Sequence, residues 1–587
     1  MNKRKYRMKK IFFIATLALL TACEKSFEQY PPDKLSPENA FNTEKDLQLY
    51  ANSFYNNLPS ANDIVRGDQT SDFLVGSTID NYLSGSYSAA QAGGWTWEPL
   101  RNINYFLEQM VRAQISDESR KHFEGLARFF RAYFYFNKVK QFGNVPWQEK
   151  TLTIDDPDLY KTQDSRAYVM EKVLADLNFA CENISPAIDP TSSQISRPVA
   201  LAFKSRICLF EGTYRKYHEE LSLQATANTW LQEAADAAKQ VIDGGQYRLN
   251  IESDPTTSFR NLFINEQPKT NEIMLAAINN ASLRVLNDAN WYWTSATYGR
   301  RLSFTKTFVN TFLNRDGSRF TDQANYNQIP FWEEVKNRDL RLQQCIRMGS
   351  YQREGQPAPP DFTYTYTGYM PYKFTLDSKA TDGRAENNNS LPLMRYAEVL
   401  LNYAEAMAEL NRFTEAEWNL TIKLLRERAG LSNTAMPLTA DTYLEQEYFA
   451  DQNLSAALLE IRRERAIELA MEGFRYDDLM RWKLANLLLK PYTGLYVPAM
   501  NTPYDLNEDG KDDVSFVTAV PSNPQKGIVY FVINGTQHYL TNQTSGNIVA
   551  QNNLRRIFDD FMYLRPIPIE EITLNPDLKQ NAGWESR

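Results

Sequence analysis

Cysteine and histidine are scarce in this sequence. Four of the 587 residues are Cys and three are His, and the histidines are far apart, with no H-x-x-x-H pair. Apart from Cys23, the cysteines are Cys181, Cys208 and Cys345, an odd number without the close spacing of zinc ligands. The sequence therefore predicts neither a disulfide framework nor a zinc site, and it argues against a histidine-based metal enzyme.

Positive charge is also in short supply. The formal net charge is −8, with 64 Lys and Arg against 72 Asp and Glu. Six of the basic residues and none of the acidic ones lie in residues 1–22, so the chain without that segment carries −14. Nucleic-acid binding needs clustered basic charge, and this balance argues against it.

Long apolar runs are lacking, and the run near the start of the chain is short. It covers residues 11–20 and follows a basic head that contains no acidic residue. A bilayer core of about 30 Å needs about 20 apolar residues, so this run predicts a secretory signal peptide and not a membrane span. The rest of the sequence contains no run that is apolar enough to cross a membrane.

A cysteine stands directly where this segment ends. Leu20-Thr21-Ala22-Cys23 resembles a bacterial lipobox, in which the cysteine sulfur takes a diacylglycerol. We therefore expect residues 1–22 to be removed and Cys23 to carry a lipid anchor. The alternative is an ordinary signal peptide in which the cysteine is incidental. Several acyl chains anchor a protein firmly, because each buried methylene contributes about 0.8 kcal/mol.

Helical periodicity dominates two blocks of the chain, at about residues 46–250 and 391–490. Within them apolar residues recur three or four apart, and Gly143 and Pro146 supply a stop after one such run. Alanines between aromatic residues resemble degenerate tetratricopeptide repeats, with a plain helical bundle as the alternative. Individual helices are predicted at about 118–141, 165–183, 199–216 and 229–243, and from about 394 onward.

Between and after these blocks the composition changes. Residues 251–390 are rich in Asn, Tyr, Pro and Gly, and residues 491–550 contain strand-like runs such as GIVYFVIN. The predicted fold class is mainly α: a tetratricopeptide-like scaffold of helical pairs with long irregular loop excursions and short strands. We expect residues 23–587 to form a single domain. Because long loops on a rigid scaffold usually carry function, the ligand region is expected in 251–390.

Four stretches resemble a known family. They are ARFFRAYFYFNKVKQFGNVPW (127–147), LPLMRYAEVLLNYAEA (391–406), IRRERAIELAMEGFRYDDLMRW (461–482) and FMYLRPIPIEEITLNPDLKQNAGW (561–584). In this order, and together with the lipobox, they closely resemble the signatures of the SusD/RagB family from one end of the chain to the other. The resemblance implies a non-enzymatic outer-membrane lipoprotein of Bacteroidota, exposed at the cell surface. It also implies a nutrient ligand, most often a glycan, and a SusC-like TonB-dependent transporter for which the protein serves as a lid.

The residues of these motifs indicate mostly structural roles. Glu464 and Glu468 lie four apart on a predicted helix, but nothing in the sequence supplies the cleft that a catalytic carboxylate pair needs. Pro566 and Pro568 favour an extended path, so residues 561–587 are expected to dock on the body of the protein. Gly473 is expected to separate two helices.

Sugars present C–H faces to aromatic rings and hydroxyls to polar side chains. Two stretches combine exposed-looking aromatic residues with such groups, SDFLVGSTIDNYLSGSYSAAQAGGWTWEP and DANWYWTSATYGRR. If WYW is extended, alternation directs Trp291 and Trp293 to the same side. Trp97 precedes a predicted helix, and a position in the core is an equally good interpretation for it. The candidate ligand residues are Asp72, Tyr82, Trp95, Trp97, Asn290, Trp291, Trp293, Tyr298 and Arg300.

One acidic segment resembles a calcium loop. In DLNEDGKDD, Asp505, Asn507, Asp509 and Asp513 occupy positions 1, 3, 5 and 9, and Gly510 occupies position 6. Position 12 is Phe516 and not the usual Glu, so a solvated acidic turn is the alternative. No cofactor is required by the expected function, and Ca²⁺ would be structural.

Three other functions remain open at this stage. A family member can bind oligopeptides instead of glycans. A secreted glycoside hydrolase would release product from a polysaccharide, whereas a binder leaves it intact. A pure scaffold that holds another protein would show no affinity for small ligands.

Overall fold

The computed structural model describes residues 41–295 and 300–585. Most of the helices enclose one large apolar core, in which consecutive long helices pack side by side. The helix Tyr396–Glu409 packs on the helices Arg197–Tyr217, Ala227–Gly244 and Ala456–Glu468. The helices are α1 Glu44–Ala51, α2 Ala61–Arg66, α3 Asn81–Ser84, α4 Glu98–Gln109, α5 Asp117–Phe142, α6 Arg166–Asn183, α7 Arg197–Tyr217, α8 Ala227–Gly244, α9 Ala289–Thr294, α10 Lys306–Val309, α11 Phe331–Glu334, α12 Leu340–Cys345, α13 Tyr396–Glu409, α14 Glu415–Leu420, α15 Ile422–Arg428, α16 Thr442–Glu447, α17 Ala456–Glu468, α18 Arg475–Arg481 and α19 Ile569–Leu574. This arrangement confirms the mainly α fold class.

Local signals explain where the long helices begin and end. Ser116 and Ser165 cap α5 and α6, each accepting a hydrogen bond from the backbone N–H three residues on, at 3.1 and 3.3 Å. Gly143 ends α5 at φ 74°, a conformation that favours glycine. The helices predicted at about 118–141, 165–183, 199–216 and 229–243 are confirmed within two residues at each end.

Small residues allow the closest helix contact. A Cβ added at Gly212 of α7 would lie 3.0 Å from the backbone nitrogen of Leu231 in α8. Ala234 and Ala238 of α8 are fully buried in the same core. The close approach of α7 and α8 therefore depends on these small side chains.

A second apolar core was not expected from the sequence. It combines buried side chains of the Tyr- and Asn-rich segment, such as Phe308 and Phe374, with strand residues such as Leu495 and Val514. Residues 251–390 and 491–550 are therefore not only loop excursions, because they fold together on a shared core. Sequence periodicity missed this because the contributing runs are short.

The strands in this part are short and form small sheets. The strands are β1 Leu74–Val75, β2 Ile273–Ala277, β3 Ser303–Phe304, β4 Gln352–Arg353, β5 Gln356–Pro357, β6 Leu391–Arg395, β7 Tyr492–Val497, β8 Pro503–Tyr504, β9 Val514–Val517, β10 Val529–Val532, β11 Tyr539–Leu540 and β12 Gly546–Ala550. β2 and β6 pair antiparallel, β7 pairs with β12, and β12 pairs with β11. β8 pairs with β9, which runs parallel to β10 with Val514 opposite Val529. The strand predicted in GIVYFVIN is confirmed as β10.

Helix α17 joins the two cores through buried ion pairs. Glu468 contacts Arg395 of β6 at 2.6 Å, Arg341 of α12 at 3.0 Å, and Arg428 of α15. Glu464 contacts Arg341 at 2.8 Å. These arginines hold the pKa of Glu468 well below its usual range, although burial alone would raise it. Both carboxylates are fully buried, so they tie the cores together and cannot meet a substrate.

The C-terminal segment packs on the helical body. Trp584 is 2% exposed, and its indole N–H donates to the carbonyl of Leu564 at 2.9 Å. The backbone N–H of Arg565 donates to the carbonyl of Gln141, near the end of α5, at 2.7 Å. Residues 561–585 therefore lie docked on the body of the protein.

The described residues contain no helix that is both long enough and apolar enough to cross a bilayer. Cys181, Cys208 and Cys345 are free, and burial raises the pKa of the Cys181 and Cys345 thiols to about 12. These cysteines are therefore protonated side chains of the folded body, as expected for thiols in apolar surroundings.

Candidate ligand-binding surfaces

Helix α9, in the second stretch of predicted ligand residues, contacts residues at the end of α2 and just after it. Arg66, the last residue of α2, contacts Asp288 at 2.5 Å, and its guanidinium carbon lies 4.7 Å from the ring centroid of Tyr292. The other carboxylate oxygen of Asp288 is buried and has no hydrogen-bond partner among the described residues. The start of α9 thus presents a fixed charge pair beside an aromatic ring.

Gln69 connects α9 to Arg300. Its side-chain oxygen accepts from the hydroxyl of Tyr292 and from Nη1 of Arg300, each at 3.0 Å. Burial raises the pKa of Tyr292, so its hydroxyl stays protonated and can donate this bond. The carbonyl of Arg300 accepts from the N–H of Ser77 at 2.8 Å. Gln69 therefore meets Tyr292, which is 223 positions away in the chain, and Arg300, which is 231 positions away.

Trp291 contributes the aromatic ring of this surface. It is half-buried against the second core, and the guanidinium carbon of the exposed Arg384 lies 5.7 Å from its ring centroid. A partly exposed indole beside guanidinium and amide groups has the chemistry that a sugar ring requires. We name this region the α9 surface; it consists of Arg66, Gln69, Asp288, Trp291, Tyr292, Arg300 and Arg384.

The expectation for WYW was wrong. These residues form a turn of α9 and not an extended segment, so Trp291 and Trp293 point in different directions, about 200° apart. Trp293 is 3% exposed and belongs to the core. Asn290 is fully buried, and its side-chain nitrogen donates to the carbonyl of Leu376 at 2.9 Å. Trp293 and Asn290 therefore support the surface from below, and neither can contact a ligand.

Asp72 and Tyr82 also have structural roles. Asp72 forms a two-bond ion pair with Arg475 at 2.7 and 2.8 Å, with only 5% of its side chain exposed. Tyr82 is 1% exposed, and its hydroxyl donates to the carbonyl of Met562 at 2.5 Å, so it holds the C-terminal segment. Sequence reasoning misplaced both because an acidic or aromatic residue in an irregular segment has the same pattern whether its partner is a ligand or the protein.

Trp95 and Trp97 line a separate cavity of about 580 Å³. The cavity lies between the start of α4, residues 146–161 and α19. Trp95 is 6% exposed and packed against Phe142, whereas Trp97 is half-buried. We name it the Trp97 cavity. It shares no lining residue with the α9 surface, so the two predicted stretches do not form one site.

Two of the predicted residues lie outside the described part of the chain. These are Cys23, the expected lipid attachment site, and Tyr298. Both remain predictions.

The acidic segment 505–513 forms a turn between β8 and β9. Asp505 accepts backbone hydrogen bonds from Asn507, Asp509 and Gly510, the last at 2.7 Å. Burial raises the pKa of Asp513 to about 6. Across residues 41–295 and 300–585, no group of three or more His, Cys, Asp and Glu side chains is arranged to hold a metal ion. Calcium binding by this segment gains no support from that arrangement and stays a prediction.

Several residues of the two candidate sites were missed by sequence reasoning. Arg66, Gln69 and Arg384 join the α9 surface, and Asn104 joins the Trp97 cavity. No signal in the sequence marks them, because each reaches its site through contacts with residues distant in the chain.

The comparisons with known proteins agree with this architecture. A family model described as "SusD family" matches residues 276–584, and one described as "Starch-binding associating with outer membrane" matches residues 36–209. SusD-like protein P2 of Formosa agariphila is 25% identical over 88% of this chain and 99% of its own length. A SusD-like protein of Bacteroides ovatus is 23% identical over 86% of this chain and 89% of its own length.

Solved structures show the same fold. A SusD-like protein from Bacteroides fragilis superposes with a TM-score of 0.67 at 20% identity, over 94% of this chain and 100% of the other. A SusD-like carbohydrate binding protein from the same species gives a TM-score of 0.67 at 22% identity, over 92% of this chain and 99% of the other.

Proposed function

Because the chain belongs to the SusD family, we propose that it captures oligosaccharides and delivers them to a SusC-like TonB-dependent transporter. The observation that carries this proposal is the match of the family model to more than half of the chain. The family's outer-membrane, starch-binding description supports a glycan ligand. The protein acts by binding alone.

The α9 surface is the place where this ligand binds. Trp291 offers a partly exposed ring on which a sugar can stack its C–H face. Arg300, Gln69 and Arg384 carry hydrogen-bonding groups beside it, and the buried Asp288 holds Arg66 in place. The bonds among these residues fix their positions before a ligand arrives, which lowers the entropy cost of binding.

A glycan screen followed by calorimetry tests this proposal. The protein without residues 1–23 is first screened on affinity gels and a glycan array, and the best ligand is then titrated. Trp291→Ala should weaken binding about tenfold or more, since a stacked ring contributes on the order of 0.5–1.5 kcal/mol beyond the area it buries.

Trp332→Ala is the matched control. Trp332 is also half-buried, but it stacks on Tyr504 at 5.7 Å, outside the α9 surface. Equal affinity of both variants and the wild type would contradict the proposed site. Binding of oligopeptides without any glycan would contradict the ligand class, and product release from a polysaccharide by the purified protein would contradict a function by binding alone.

The anchor and the transporter belong to the same proposal. Cys23 carries the lipid, so Cys23→Ala should release the protein from membranes or block its processing. Equal incorporation of labelled fatty acid into variant and wild type would contradict this. The lid function requires the α9 surface to face the transporter, and co-purification from solubilised outer membranes, with and without ligand, tests that partnership.

A further inference from the structure

The Trp97 cavity has the size of a small-molecule site. Its volume of about 580 Å³ lies within the range of about 300–1,000 Å³ that is typical of ligand pockets. Its walls come from four parts of the chain: the loop before α4, α4 itself, residues 146–161 and the C-terminal region around α19. The docked C-terminal segment therefore completes the cavity.

The Trp97 ring is held in one orientation. It packs nearly perpendicular to Trp95, with ring centroids 5.4 Å apart, and against Phe134 at 5.6 Å. The ammonium group of Lys138 lies 5.3 Å from its centroid. Because these neighbours fix the ring, a ligand that stacks on it loses little side-chain entropy.

Asn104 is a buried polar residue in the wall of this cavity. The residue is 1% exposed, and its side-chain nitrogen donates to the carbonyls of Gln148 at 3.1 Å and Lys150 at 3.3 Å. Both partners are acceptors, so they fix which end of the amide is the nitrogen. Oδ1 is left without a hydrogen-bond partner among the described residues. Oδ1 is itself enclosed by protein, so Asn104 holds the wall of the cavity in place through its two donated hydrogen bonds and does not offer an acceptor to a ligand.

The lysines of the lining are paired with carboxylates in or beside the cavity. Lys150 contacts Asp158 at 3.4 Å, and Lys161 contacts Asp164 at 2.7 Å. The guanidinium of Arg101 donates to a backbone carbonyl. The lining contains three acidic and three basic residues: Glu98, Asp158, Glu571, Arg101, Lys150 and Lys161. This balance favours an uncharged ligand that can both donate and accept hydrogen bonds.

We propose that the Trp97 cavity is a second binding site, for a neutral saccharide unit of one or two rings. The C–H face of the sugar lies on Trp97, and its hydroxyls meet polar side chains of the lining, such as Arg101, Gln148 and Asp158. A fatty acid does not fit this arrangement, because its carboxylate adds a negative charge that the lining does not balance. The site is independent of the α9 surface.

Ligand-observed NMR of the protein without residues 1–23 tests the proposal. The probes are glucose, xylose, maltose and cellobiose as neutral sugars, glucuronate as a charged sugar, hexanoate as an acyl chain and Gly-Leu-Gly as a peptide. All variants carry Trp291→Ala, which weakens binding at the α9 surface about tenfold or more. Sensitivity to a substitution in the Trp97 cavity then distinguishes the failure of one site from the failure of the other.

Leu574→Trp narrows the cavity, and Leu438→Trp is its control. Leu574 lines the cavity and is 71% exposed, so the larger side chain can be added without disturbing the core. Leu438 is 92% exposed and lies outside the lining. We expect at least one neutral sugar to bind, with its affinity reduced about tenfold by Leu574→Trp and unchanged by Leu438→Trp.

Three results would overturn the proposal. The first is that no neutral sugar binds. The second is sugar binding that Leu574→Trp leaves unchanged, which places the sugar elsewhere. The third is binding of hexanoate or Gly-Leu-Gly in preference to every neutral sugar, with sensitivity to Leu574→Trp, which assigns the cavity to another ligand class.

Discussion

Glu468→Gln should destabilise the protein strongly, although it changes the shape of the side chain very little. Glu468 is fully buried and contacts Arg341, Arg395 and Arg428. Removal of one partner from a buried ion pair costs about 3–5 kcal/mol, because the opposite charge stays buried without compensation. The substitution also turns an N–H group toward a guanidinium that needs an acceptor.

The lower end of this range applies here, because each arginine keeps another carboxylate. Arg341 still contacts Asp339 at 2.6 Å, Arg395 still contacts Glu472 at 2.8 Å, and Arg428 still contacts Glu272 at 2.9 Å. We therefore expect a loss of about 3 kcal/mol in the free energy of unfolding. If the free energy of unfolding falls by about 3 kcal/mol per M of urea, this loss lowers the urea concentration at the unfolding midpoint by about 1 M.

Urea unfolding at pH 7, followed by tryptophan fluorescence, measures this loss. Glu333→Gln is the matched control, because Glu333 contacts Lys336 at 3.0 Å with side chains 53% and 42% exposed. An exposed pair contributes at most about 1 kcal/mol, so the control midpoint should barely move. Equal midpoints for the two variants would refute the view that the buried ion pairs join the two cores.

The stability that Glu468→Gln loses should depend on pH. The arginines hold the pKa of Glu468 well below its usual value in the folded protein. Its contribution to stability is therefore present above the pKa of the unfolded chain, about 4.3, and is lost as the pH falls toward the lower folded pKa. The deficit of Glu468→Gln should be full at pH 7 and shrink below about pH 4. A stability deficit of Glu468→Gln that grows as the pH falls would contradict a lowered pKa of Glu468 in the folded protein.

Three further predictions concern other parts of the fold. Truncation after Arg556 should lower the thermal midpoint clearly, because it removes the buried Trp584 and opens the Trp97 cavity; an unchanged melting curve would show that the docked segment is dispensable. Lys138→Met should raise the free energy of unfolding at pH 7 by about 1–2 kcal/mol, since burial lowers the pKa of Lys138 to about 8 and the charged form is costly. This gain should fade between pH 8 and 10.5, because over this range Lys138 is largely neutral in the folded wild type and still charged in the unfolded chain. A free energy of unfolding that stays constant over this range in both proteins would contradict the prediction. Calcium should raise the thermal midpoint of the wild type and Asp505→Ala should abolish that effect, whereas identical melting in calcium and in chelator would identify the segment as an acidic turn.

The long helices could be predicted from the sequence because their signals are local. A 3.6-residue apolar period, a capping serine and a terminating glycine act within a few residues of one another, as in α5 with Ser116 and Gly143. The signatures that identify the family are likewise contiguous stretches of chain. Sequence alone therefore determined the fold class, the family and the helices of the first core.

The candidate sites depended on contacts that no local pattern contains. Trp291 and Trp293 are two residues apart and identical in chemistry, yet one is partly exposed and the other is buried, because the segment is a helix packed on the second core. Tyr292 meets Gln69 across 223 positions, and Asn104 meets Gln148 across 44. Which polar atoms are paired inside the protein and which remain for a ligand follows from such distant contacts, so only the tertiary structure could decide it.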